Sequence, residues 1–249
     1  MSETDRGGDV QWLSIFVDVP AASLDTSVAF WATVTGSAIG EPVGDDGEFL
    51  PLEPPDGDPC LWLQRTRDDT LGCHPDLYVE DVDAKTRHAE SLGAEVLSRH
   101  DQLVVLRSPG GLPFCLVRWR GQDRRPGTVA ASTGLVDQLC IDIPPGRYDD
   151  ECRFWAELTG WELYDGEPDE FRRLRRPPQV PHAFLLQRLD DEQPTTSAHV
   201  DLSASDRQGE IDRHVVAGAT VVDPTEHWTV LRDPVGLIYC ITARRPGDV

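Results

Sequence analysis

The feature that most constrains this 249-residue chain is that it repeats itself. Val17-Asp18-Val19-Pro20 returns 124 residues later as Ile141-Asp142-Ile143-Pro144, and Phe30-Trp31-Ala32 returns at the same shift as Phe154-Trp155-Ala156. A Thr-Gly pair follows each helix string, at Thr35-Gly36 and Thr159-Gly160. Leu63-Gln64-Arg65 reappears as Leu186-Gln187-Arg188, His74-Pro75-Asp76-Leu77 as His199-Val200-Asp201-Leu202, and Val105-Leu106-Arg107 as Val230-Leu231-Arg232. Five blocks in one order with nearly constant shifts mark a tandem duplication, and self-similarity of this kind fixes the architecture before any single residue is read. The expected division is a first domain over 1–120, a linker over 121–133 and a second domain over 134–249. The linker's Arg120-Gly-Gln-Asp-Arg-Arg-Pro-Gly127 stretch is polar and has no apolar period.

Each half reads as strand, helix, strands, and then the same again. Leu13–Val19 alternates as a strand, Ser23–Thr35 is helical with Ser23 or Asp25 as N-cap, and Gly36 ends it. Cys60–Gln64, Leu77–Val79, Val104–Leu106 and Phe114–Val117 are strand-like, and a helix spans about Val82 to Leu92 before Gly93. The fold class expected is α+β: four βαβββ modules, paired into two cupped mixed sheets with helices outside.

Strand period two sorts side chains into a core set and a cup-facing set. Leu13, Ile15, Val17 and Val19 belong under the helices, so Ser14, Phe16 and Asp18 face the cup. The same sorting turns Gln138, Cys140 and Asp142 inward in the second half, with His74, Asp76 and Tyr78, and His199, Asp201 and Ser203, on the later strands. Trp62 and Gln64 join the first cup, Leu185 and Gln187 the second. His74 with Asp76 and His199 with Asp201, each two residues apart on a strand, are candidate acid/base pairs, and Gln138 adds a polar group beside the second. Trp31 and Trp155 read as core. His88, His100, His182, His214 and His227 have no partner at ligand spacing and read as surface residues.

The chain is similar to the vicinal oxygen chelate superfamily, the glyoxalase, bleomycin-resistance and extradiol dioxygenase fold. The strings that carry the resemblance are the Asp-Val-Pro strand end before a Phe-Trp helix, the His-x-Asp-Leu strand, Leu92-Gly93-Ala94, and the Asp233-Pro234-Val235-Gly236 turn. The resemblance implies metal ligands on the first strand, in the third-strand region, on the His strand, and at a Glu four residues after the last turn's Gly. Those positions hold Ser14, Trp62, His74 and Cys115 in the first half, and Gln138, Leu185, His199 and Cys240 in the second. The Glu is missing from both, so no obligatory metal is expected. The alternative is one divalent ion at His199, Gln138 and Cys240.

The net charge of −21 argues against nucleic-acid and membrane-surface partners. Arg172, Arg173, Arg175 and Arg176 read as a solvated hairpin. Six cysteines without a CxxC pair and a polar N-terminal lead-in, read as disordered, fit a cytoplasmic protein without disulfides. The leading expectation is a small-molecule-binding protein holding a hydrophobic or aromatic ligand. The rival is an enzyme of the same fold: a metal-independent isomerase, lyase or cyclase using His199 and Asp201, or a divalent-metal lyase or dioxygenase. Because duplication supplies an internal pseudo-dimer, a monomer is expected, with a homodimer as the alternative.

Overall fold

A computed structural model describes residues 8–129 and 134–247. The N-terminal lead-in, apart from its last glycine, and residues 130–133 of the expected linker lie outside the described residues; residues 121–129 carry no helix or strand.

The first half opens with β1 (Trp12–Pro20), α1 (Leu24–Thr35), β2 (Ala38–Ile39), β3 (Phe49–Glu53) and β4 (Leu61–Thr66). It continues with β5 (Gly72–Val79), α2 (Val82–Ser91), β6 (Glu95–His100), β7 (Leu103–Arg107) and β8 (Pro113–Arg118). The second half repeats the order with β9 (Gly134–Ile143), α3 (Tyr148–Thr159), β10 (Glu162–Asp165), β11 (Phe171–Arg175) and β12 (Ala183–Arg188). It closes with β13 (Ser197–Ala204), α4 (Arg207–Val216), β14 (Thr220–Pro224), β15 (Trp228–Arg232) and β16 (Ile238–Thr242). The four βαβββ modules form two eight-stranded mixed sheets with the same order, β2-β3-β4-β1-β5-β8-β7-β6 and β10-β11-β12-β9-β13-β16-β15-β14.

Local chemistry sets the boundaries. Gly36 and Gly160 end α1 and α3 at φ +65 and +73, a left-handed conformation that glycine adopts without a Cβ clash. Asp81 and Asp206 cap α2 and α4 by accepting the Ala84 and Gly209 amides. Ser23 is the N-cap of α1, but its side chain makes no cap hydrogen bond. Arg172, Arg173 and Arg175 lie on the β10–β11 hairpin, in which Arg172 pairs with Asp149 and Asp165 and Arg175 with Glu162, whereas Arg176, just past β11, is buried rather than solvated.

Two compact units divide the chain. One gathers Met1–Ser14, His74–Asp123 and Leu139–Ala198, the other Ile15–Cys73, Arg124–Gln138 and His199–Val249, so each draws segments from both sequence repeats. In the first unit Trp155 packs against Phe114 and Phe184 at 5.3 Å each. In the second Trp31 and Phe30 pack against Tyr239 at 5.3 and 6.0 Å. These tryptophans are fully buried, as their apolar helix faces require.

Three histidines differ from the sequence reading. His88, His182 and His214 are buried, while His100 and His227 are exposed. His214 sits four residues after Glu210 on α4, a spacing that stacks both on one helix face. Its Nδ1 lies 2.8 Å from Tyr239 Oη and its Nε2 lies 3.2 Å from Glu210. His88 Nε2 is 3.1 Å from the Glu157 carbonyl. Polar partners of this kind let a histidine enter the core, and they come from elements remote in sequence.

Candidate functional site

The same trio forms once in each unit. In the first, β5 places His74 and Asp76 on one face and pairs in parallel with β8, whose register sets Asp76 opposite Cys115. In the second, β13 places His199 and Asp201, and its parallel pairing with β16 sets Asp201 opposite Cys240. Residues opposite one another on a ladder share a face, which is why residues 39 apart in sequence meet. The donor atoms of each trio lie within 4.8 Å of one another.

His74 Nε2 is 3.5 Å from Asp76 Oδ1, and His199 Nε2 is 3.2 Å from Asp201 Oδ1. Cys240 Sγ is 3.5 Å from His199 Nε2. Gln138 donates to the other oxygen of Asp201, Oδ2, at 2.6 Å and thereby fixes the carboxylate's rotation. Asp76 and Asp201 are 4% and 2% exposed, and their Oδ1 atoms make no hydrogen bond among the described residues. Burial, reinforced by the Asp76 carboxylate, pushes the Cys115 thiol up to about 12.

Phe16, Phe49 and Trp62 form an aromatic cluster within the second unit. Parallel pairing of β1 and β4 sets Phe16 opposite Trp62. Their rings stack at 5.5 Å with 14° between planes, and Phe49 meets Phe16 edge-on at 5.9 Å. Trp62 Nε1 is buried and makes no hydrogen bond among the described residues. Asp18 and Gln64 face each other on the same ladder.

The remaining expected residues are also placed. Ser14 is fully buried and its hydroxyl makes no hydrogen bond among the described residues. Tyr78 and Leu185 are buried. Gln187 is half-buried and lies 3.5 Å from the Cys140 sulfur, which also lies 3.9 Å from Asp142. Sequence reasoning did not find Phe49, because Pro51 two residues later obscured the strand period of β3. Nor did it join Asp76 and Asp201 to the cysteines, since ladder register between β5 and β8 is invisible in a linear sequence. All six cysteines are buried, and no disulfide links them.

The trio's donor set tests whether a metal of the kind the fold family uses could be held. Imidazole, carboxylate and thiolate together suit zinc and related borderline ions, whereas hard ions such as magnesium prefer oxygen alone. The residues therefore fit a borderline divalent ion such as zinc.

The family of glyoxalase-like domains matches residues 14–117 and again 138–242. No curated protein matches the sequence. Among solved structures the chain is similar to the Mn(II)-bound glyoxalase from Novosphingobium aromaticivorans, at 18% identity and TM-score 0.68, covering 95% of this chain and 82% of that one. It is similar to 2,2',3-trihydroxybiphenyl 1,2-dioxygenase from Sphingomonas wittichii, at 16% identity and TM-score 0.62, covering 97% and 93%. An extradiol ring-cleaving dioxygenase from B. fuscum aligns at 15% identity and TM-score 0.63, over 96% and 74%. At these identities the likeness is one of fold. Among the described residues no helix is long and apolar enough to cross a membrane.

Proposed function

Because the chain belongs to the glyoxalase-like domain family, we propose that it binds a small, flat, aromatic molecule against the Phe16–Phe49–Trp62 face. The observation that carries this reading is the Trp62 ring, stacked on Phe16 and only partly covered. A flat ring gains apolar contact on that face at small entropic cost. Gln64, half-buried on the same strand, offers a polar anchor. That one structural relative, the 2,2',3-trihydroxybiphenyl 1,2-dioxygenase, is named for an aromatic substrate agrees with this class.

The test compares 2,2',3-trihydroxybiphenyl with a saturated bicyclohexyl alcohol of similar size by calorimetry. Preference for the planar compound supports the reading; equal or reversed affinity contradicts it.

Catalysis is the second reading, favoured by the Gln138 contact to Asp201. A carboxylate held by one oxygen beside His199 is the arrangement that orients an imidazole for proton transfer. Were this the chain's role, His199→Ala would abolish turnover of a bound substrate while leaving binding to the aromatic face intact.

A further inference from the structure

We propose that the second repeat carries a ligand wall of its own, a site for a small organic carboxylate that pairs with the guanidinium of Arg173. This wall lies in the other compact unit from the aromatic face and does not depend on it.

Strand register assembles the wall. β11 runs antiparallel between β10 and β12, which sets Phe171 opposite Gln187 and Arg173 between Tyr164 and Leu185. The first repeat has the same ladder, with Phe49 opposite Gln64 and Pro51 opposite Trp62. Phe171 therefore stands where Phe49 does, and Arg173 where Pro51 does. Leu174 is in the core, so period two turns Phe171 and Arg173 to the other face of the sheet. Cys140, whose sulfur is 3.5 Å from Gln187, extends that face onto β9.

Charge on the wall is unbalanced. Arg173 is half-buried, and its side chain makes no hydrogen bond or ion pair among the described residues. Its neighbours on the strand are both matched, Arg172 by Asp149 and Asp165 and Arg175 by Glu162. The chain has 44 acidic residues against 23 basic ones, so a protein counter-ion was readily available to this position. Asp142 is kept from Arg173 by β12, which lies between their strands and puts about 10 Å between the two backbones. A half-buried guanidinium has lost part of its water without gaining an acid, and an incoming anion supplies one.

The surrounding side chains set the kind of anion. Cys140 and Leu185 stand where the first repeat has Phe16 and Trp62, so two stacked rings have given way to smaller groups. Phe171 and Leu185 keep the wall apolar beside the charge. The planar fork of arginine matches a carboxylate through two parallel hydrogen bonds. The ligand that fits has one carboxylate at the Arg173 end and a short apolar or aryl body against Phe171 and Leu185.

The test uses full-length protein at low salt and three compounds of nearly one shape: anionic benzoate, neutral benzamide and cationic benzamidinium. The net charge of −21 favours the cation over the rest of the surface, so only a local cationic site reverses that order. Titration calorimetry is expected to place benzoate first, about tenfold tighter than benzamide, with the difference shrinking as salt is added. Arg173→Gln should remove the preference for benzoate and leave benzamide unchanged. Arg67→Gln, which removes the same charge from an exposed site in the first repeat, should keep the preference. The wild-type order needs no variant and so stands even if a substitution prevents folding. No binding of benzoate, benzamide or benzamidinium binding as tightly, or a preference kept by folded Arg173→Gln or lost in Arg67→Gln, would each overturn the proposal.

Discussion

The indole of Trp31 donates to Asp233, 202 residues further along the chain, at 3.2 Å. The equivalent Trp155 instead donates to Glu151 on its own helix, at 3.1 Å, and Glu151 also accepts from the Ser108 hydroxyl and the Gly110 amide. The repeats have exchanged places: Asp233 and Ser108 occupy matching turn positions, and Ser27 and Glu151 matching helix positions. One carboxylate is kept in each unit to meet a buried indole, supplied from the turn in one and the helix in the other.

Asp233 also accepts the Val235 and Leu237 amides, at 3.0 and 2.8 Å. Removing it leaves the buried Trp31 and Leu237 donors and the part-buried Val235 amide without this acceptor, so Asp233→Ala should destabilise the protein by about 2–4 kcal/mol. Urea unfolding of the purified variant checks this.

Burial raises the Glu151 carboxyl above its ordinary 4.5, against the lowering effect of Ser108, Gly110 and Trp155. A raised acid contributes stability that is present below 4.5 and lost as pH rises through the folded value. Glu151→Gln should therefore gain on the wild type as pH rises from 4.5 toward neutrality. His214 acts in the opposite sense. Burial lowers it below its ordinary 6.5, so its contribution is present above 6.5 and lost as pH falls through the folded value. His214→Gln should flatten that acid limb. Thermal melts of both variants across this pH range, each measured against wild type, separate the two effects.

Much of this was legible in the sequence, for reasons that differ by residue. The duplication and the four modules follow from repeated strings and from the period-two alternation of β1, which depend only on neighbours along the chain. Trp31 and Trp155 were readable as core because each lies on an apolar helix face. His214 was not, because its acceptability in the core depends on Tyr239, 25 residues away, as much as on Glu210. Phe49 was hidden by Pro51. The trios were half visible: period two gave His74 with Asp76 and His199 with Asp201, and the resemblance set Cys115 and Cys240 beside the histidines, but the aspartates meet the cysteines only through parallel register with β8 and β16.

Each compact unit draws on both repeats, an arrangement that in a single-repeat protein would need two chains. We therefore predict a monomer of 27.6 kDa by size-exclusion chromatography with light scattering. A stable species of twice that mass would contradict it.

The central claim is that the aromatic face formed by Phe16, Phe49 and Trp62 binds a planar ligand, and calorimetry with 2,2',3-trihydroxybiphenyl on wild type, Trp62→Ala and the exposed-site control Val216→Ala tests it most directly. Loss of the indole should cost about 2 kcal/mol of affinity, about a thirtyfold weakening, from apolar contact alone. Val216, 89% exposed at the end of α4, should change nothing. Equal affinities for wild type and Trp62→Ala would contradict the account and return Trp62 to the packing of the sheet.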